Sequence, residues 1–170
     1  IYDHYIDTPM ERRNFDAVFA MMHRHANPEG AKILDFCCGT GIFPRKWLAG
    51  NNVSYTGIDI NRAFLGFARN ALDDLNYDFI ECDAVIVSLG SEFDIVLGTS
   101  AYHHIEDERK TEFLRNMYRH MRQDGTVIIY EKFVAPFTSR AEAARSGTMF
   151  YMERISDMIR EGKLSDDQLF

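Results

Sequence analysis

Ile33-Leu34-Asp35-Phe36-Cys37-Cys38-Gly39-Thr40-Gly41 is a short apolar run that ends in an acid and enters a glycine loop. A strand feeding a tight glycine loop brings backbone N–H groups close to a ligand, because residues without a Cβ tolerate unusual φ values and close approach. A nucleotide-like ligand at the end of a strand is the expectation. The loop is not a full dinucleotide fingerprint, since the third glycine of G-x-G-x-x-G would fall where Pro44 stands. Proline there suits the first turn of a helix, predicted over Pro44 to Leu48.

Upstream of this stretch, Phe15, Val18, Phe19 and Met22 recur at helical spacing between Arg13 and Ala26, and Asn27-Pro28-Glu29-Gly30 supplies the turn that ends the helix. Downstream, strands are expected at Val53 to Ile58, Tyr77 to Cys82, Phe93 to Gly98 and Thr126 to Phe133. Helices are expected at Asn61 to Leu72 and Glu108 to Met121, with Gln123-Asp124-Gly125 as a turn before the last strand. This alternation predicts an α/β fold: a doubly wound, mostly parallel sheet with helices on both faces. After Pro136 a helical stretch carries Met149, Met152, Ile155, Met158 and Ile159 as a stripe, read as core or lid packing. The organisation expected is a helical cap over 1–30, a ligand-binding core over 31–134 and a helical segment over 135–170, together one domain.

Length and composition agree with one substantial core: 170 residues, 46% hydrophobic. The net charge of −7 argues against a long grip on nucleic-acid phosphates and favours a small-molecule partner. Cys37, Cys38 and Cys82 form neither a disulfide framework nor zinc-like spacing, so no metal is expected and a reducing cytoplasm is the simplest compartment. No apolar run approaches the ~20 residues that span a bilayer, so no membrane partner is expected.

Two more acids end two more strands. Asp59 closes Gly57-Ile58-Asp59, and Asp83 follows Ile80-Glu81-Cys82. At the carboxyl edge of a parallel sheet, Asp35, Asp59 and Asp83 line one crevice, and Asp59 is placed to accept from ribose hydroxyls. Negative potential there favours a cationic ligand over a pair of phosphates.

The ordered set Asp35-x-Cys37-x-Gly39-x-Gly41, Gly57-x-Asp59, Asp83-Ala84 and Phe93-Asp94-Ile95-Val96 resembles the motifs of class I S-adenosylmethionine-dependent methyltransferases, whose fold is Rossmann-like. The likeness covers about residues 31 to 134. It implies S-adenosylmethionine as cofactor, with Cys37, Gly39, Gly41 and Gly98 around it and Asp35 on the methionine amino group. It also implies Asp59 on the ribose, Asp83 on the adenine amine, and Ile60 and Ala84 against the ring. A complete domain of that family continues with a helix and two further strands, and nothing after Phe133 reads as that hairpin. An open sheet edge of this kind is expected to favour association into homo-oligomers.

In-line methyl transfer needs a base only when the acceptor loses a proton. Tyr102, His103 and His104 follow the fourth strand, between the places of cofactor and acceptor, and are the candidates for catalysis. The resemblance also implies the reading that weighs more for these histidines, that of packing and loop-shaping residues. Glu131, at the end of the fifth strand, either orients an acceptor or pairs with Lys132 or Arg140. Tyr2 and Tyr5 either close over the cofactor or pack ordinarily. The functional expectation is methylation of a small molecule. The alternatives are an enzyme resembling carboxy-S-adenosylmethionine synthases, suggested by Tyr130-Glu131-Lys132-Phe133, and a catalytically silent cofactor-binding module.

Overall fold

The computed structural model describes residues 8–73, 77–90, 92–133 and 135–164. Tyr2, Tyr5 and the polar end after position 164 lie outside the described residues. The chain divides into two compact units, one formed by 1–17 with 132–170 and the other by 18–131.

The larger unit is built on five parallel strands in the order β3-β2-β1-β4-β5: β1 (Lys32–Phe36), β2 (Ser54–Asp59), β3 (Tyr77–Glu81), β4 (Phe93–Thr99) and β5 (Met121–Tyr130). The expected α/β parallel sheet is therefore present. β1 is buried from Ile33 to Phe36, as a central strand covered on both faces must be. Its register sets Asp35 opposite Gly57 of β2 and Leu97 of β4. Strand order reverses between β1 and β4, which opens a crevice beyond their carboxyl ends.

Four α-helices are described: α1 (Pro9–His25), α2 (Arg62–Ala71), α3 (Lys110–His120) and α4 (Arg140–Arg160). Asn61 caps α2, its side chain accepting from the N–H groups of Ala63 and Phe64 at 3.0 and 3.2 Å. Phe113 and Met117 of α3 pack into a core with Leu34, Phe36, Ile58 and Val96.

Two local expectations change. Pro44–Leu48 is a π-helical turn, with the Ala49 N–H donating to the Pro44 carbonyl at 3.0 Å. The turn expected at Gln123-Asp124-Gly125 lies inside β5. Phe93 pairs with Met121 and Ile95 with Thr126, so the extra residues of β5 bulge out of the ladder. Gly125 is needed there, because a Cβ would stand 3.0 Å from the carbonyl oxygens of Phe93 and Asp94. β5 also ends at Tyr130, short of the predicted Phe133.

In the smaller unit, the buried carboxylate of Glu11 receives Lys132 Nζ at 2.5 Å, with Arg154 at 3.9 Å. The methionine stripe of α4 is largely open to solvent rather than packed as a core. Met149 and Met152 are more than half exposed, and Met158 alone of the five expected residues is buried. No helix among the described residues is long and apolar enough to cross a membrane.

Candidate active site

The glycine loop after β1 is held down by hydrogen bonds rather than left open. Cys38 N–H donates to the Ile58 carbonyl at 3.0 Å, Gly41 N–H to Cys38 at 3.1 Å, and Gly39 N–H to Asp59 Oδ2 at 2.8 Å. Cys37 and Gly39 both have φ of 58°, and the turn is completed by Gly41 at 69°. The two loop glycines do different work. A Cβ on Gly39 would meet nothing within 4 Å, which leaves its surface open. One on Gly41 would stand 2.9 Å from Leu72 Cδ1 and 3.3 Å from Ala68 Cβ, so Gly41 seats the loop against α2. Gly57 is required for the same approach from below, since its Cβ would lie 2.7 Å from Cys38 Sγ.

Asp59 accepts from two backbone donors, Gly39 through Oδ2 and Asn61 N–H through Oδ1 at 2.8 Å. It thus braces the loop and starts α2, while each oxygen keeps a lone pair for another donor. Asp35 is fully buried behind the loop. Its Oδ2 accepts the Tyr55 hydroxyl at 2.7 Å, and Oδ1 has no partner among the described residues. Burial pushes its carboxyl up to about 7; the Tyr55 hydroxyl opposes that rise and the charge of Asp59 adds to it.

Asp83 accepts from Val85 N–H at 2.8 Å and from Arg109 at 2.6 Å. The Arg109 hydrogen bond holds its carboxyl below the usual range. Ile60, beside Asp59, is 72% exposed and offers an apolar surface at the crevice, whereas Ala84 is buried. Gly98 faces α3, where a Cβ would be 3.1 Å from Met117 Cε. Burial and the charges of Asp59, Asp35 and Asp83 push the Cys37 thiol up to about 12.

Beyond β4, Ser100 adopts φ of 53° and donates its N–H to Tyr130 at 2.8 Å, which joins the two loops on that side. Tyr102–His104 forms a 3₁₀ turn. Tyr102 packs on Phe113, with ring centroids 6.3 Å apart. Glu131, whose side chain is only 3% exposed, holds His103 twice: Oε1 lies 2.8 Å from Nδ1, and Oε2 accepts the backbone N–H at 3.1 Å. This arrangement gives Glu131 a partner, His103, that the sequence did not suggest. It favours the tautomer with the proton on Nδ1 and leaves Nε2 as an acceptor. The His104 ring lies 3.9 Å from that of His103. Burial first, then the neighbouring His103, lowers the His104 pKa. No group of histidines, cysteines and acids that could hold a metal ion occurs among the described residues.

Tyr55, Arg109, Asn116 and His120 support this site and were not anticipated. For the last two a signal existed: Phe113, Asn116, Met117 and His120 share the core face of α3 at helical spacing, and two of the four are polar.

The arrangement is that of a nucleoside-binding α/β crevice lined by carboxylates, and known proteins of that description match it. A profile of the methyltransferase domain matches residues 33–125. The malonyl-[acyl-carrier protein] O-methyltransferase of Calditerrivibrio nitroreducens is 22% identical over 117 residues, covering 68% of this chain and 44% of that protein. The ubiquinone biosynthesis O-methyltransferase of Aromatoleum aromaticum is 30% identical over 92 residues, 52% of this chain and 39% of that protein. The chain thus spans less than half the length of these two relatives. The crystal structure of the N-methyltransferase NodS from Bradyrhizobium japonicum, a complex with S-adenosylhomocysteine, shares the fold at a TM-score of 0.65 and 20% identity, over 72% of this chain and 62% of that one.

This chain belongs to the class I S-adenosylmethionine-dependent methyltransferase family, and S-adenosylmethionine is its cofactor. The residues present fit that group. Gly39 is open, Asp59 retains acceptor capacity, and Asp35 Oδ1 is a buried acceptor lacking a donor.

Proposed function

We propose that the protein methylates a small molecule, with His103 taking the proton from the acceptor and Glu131 holding His103 in position. Asp59 binds the ribose hydroxyls, Asp83 the adenine amine, Ile60 the ring face and the Gly39 segment the neighbouring cofactor backbone. Asp35 contributes to the methionine end from beneath the loop. When bound, the cofactor supplies an electrophilic methyl group on a sulfonium, open to in-line displacement.

The observation that carries the reading is the His103–Glu131 pair, 2.8 Å from Nδ1 to Oε1. A carboxylate on one ring nitrogen fixes the tautomer and the ring direction. Glu131 Oε2 also holds the backbone of the same residue, so main chain and ring are set together. The net charge of −7 and the acid-lined crevice favour a neutral or cationic acceptor over a polyanion. The O-methyltransferase names of the two relatives support an oxygen acceptor, of which a hydroxyl is the kind that must lose a proton.

The test is turnover by the purified protein with S-adenosylmethionine and a panel of phenols, aliphatic alcohols and amines, read as S-adenosylhomocysteine release. Transfer to a hydroxyl acceptor that collapses in His103→Gln, with cofactor affinity unchanged, is the expected result. Cofactor binding without turnover across the panel overturns it in favour of a silent binding module.

A further inference from the structure

We infer that Asn116 and His120 form a buried clasp that sets the loop Asp83–Leu89 for purine recognition. The inference rests on the proposed pairing of Asp83 with the adenine amine.

The loop leaves β3 without entering a regular element, yet Ala84 and Val85 are buried in the core. Buried backbone groups require partners. Local bonds close the turn: Asp83 accepts from Val85 through its side chain at 2.8 Å, and its carbonyl accepts the N–H groups of Ile86 and Val87 at 3.2 and 3.0 Å. The remaining bonds come from α3. Asn116 Nδ2 donates to the carbonyls of Ala84 at 2.8 Å and Val87 at 3.0 Å, spanning the turn. His120 Nε2 accepts Leu89 N–H at 3.0 Å, while Nδ1 lies 2.8 Å from the Asn116 carbonyl and donates to it. Both residues are 2% exposed.

Apolar side chains would seat α3 on the sheet with no desolvation cost. Two polar residues on its core face therefore act on the loop rather than on the helix. They fix the start, middle and exit of the turn that aims the Asp83 carboxylate. Hydrogen bonds weaken steeply with misalignment, so a released turn loses selectivity for a 6-amino purine before it loses contact with it.

The experiment compares the affinity of S-adenosylhomocysteine with that of its 6-oxo counterpart, S-inosylhomocysteine, by calorimetric titration. Unmodified protein is expected to prefer the 6-amino ligand by roughly 10–150-fold, the worth of one hydrogen bond to a charged group. Asp83→Asn removes that preference. Asn116→Asp, which replaces both N–H donors by acceptors, reduces it severalfold. His120 provides a second, independent pair. His120→Asn keeps a group at the Nδ1 position but loses the acceptor for Leu89, and lowers the preference. His120→Gln places an acceptor near Nε2 and restores it. A preference unchanged in Asn116→Asp and His120→Asn, with only the melting temperature lowered, overturns the clasp while leaving the role of Asp83 intact. Unmodified protein that does not discriminate, or Asp83→Asn that still does, overturns the adenine reading and the clasp with it.

Discussion

On the β1–β2 side of the crevice, functional groups are tied into the backbone. Asp59 holds two N–H groups, Asp35 is buried against Tyr55, and the loop between them is bonded to β2. On the β4–β5 side the candidate base is a half-exposed imidazole held by one carboxylate, its ring tilted against that of a second exposed histidine. The first side is a preformed socket whose parts also keep the fold together. The second has one oriented group and open surroundings. A shared cofactor demands a constant socket, whereas an acceptor site can vary while the scaffold stays the same.

Substitutions on the two sides should separate turnover from binding. The largest effect is expected at His103→Ala, which should lower kcat by roughly 10²–10⁴-fold, the usual worth of a general base. Steady-state kinetics with a hydroxyl acceptor would show it, and equal loss in kcat and cofactor affinity would erase the contrast between the sides. Next comes Asp59→Ala, expected to weaken cofactor binding by about 1.5–3 kcal/mol. Because Asp59 also braces Gly39 and Asn61, this variant should lower the melting temperature as well, which His103→Ala should not.

Smaller effects sharpen the comparison within the socket. Gly41→Ala should cost about 1–2 kcal/mol in stability from its left-handed backbone, plus the overlap with Leu72, as read by denaturant unfolding. Gly39→Ala carries the backbone cost without the overlap, so its stability loss should be the lesser of the two. A separate effect within the socket is a change in pH profile. The Asp35 carboxyl is raised from 3.8 to about 7, so between those values it is protonated in the fold and ionised in the unfolded chain. Stability therefore falls as pH rises through that window and levels off above it. Asp35→Asn should abolish the decline, measured as melting temperature at pH 5 and pH 8.

The socket was the more legible side because its residues obey backbone rules. Gly39, Gly41 and Gly57 sit where φ or close packing disfavours a side chain, and Asp59 ends a strand. The parallel sheet followed from the alternation of strands and helices, whereas its strand order did not. What escaped prediction depends on pairings distant in sequence: Glu131 with His103 across 28 residues, Asp35 with Tyr55 across 20, and Asp83 with Arg109 across 26. No local propensity encodes such partners. The β5 bulge escaped for a related reason, since Gln123-Asp124-Gly125 has turn composition whether it ends a helix or loops out of a ladder. The α4 stripe misled because methionine and isoleucine at helical spacing mark an apolar face without saying that anything covers it.

The raised pKa of Cys37 has a bearing on survival of the protein during its own chemistry. A sulfonium that alkylates an acceptor also alkylates a thiolate, and this cysteine belongs to the very loop proposed to hold it. With its pKa pushed up to about 12, Cys37 stays overwhelmingly in the thiol form at neutral pH. Burial, together with the carboxylates proposed to favour the cationic reagent, thereby keeps this thiol in its less nucleophilic, protonated form.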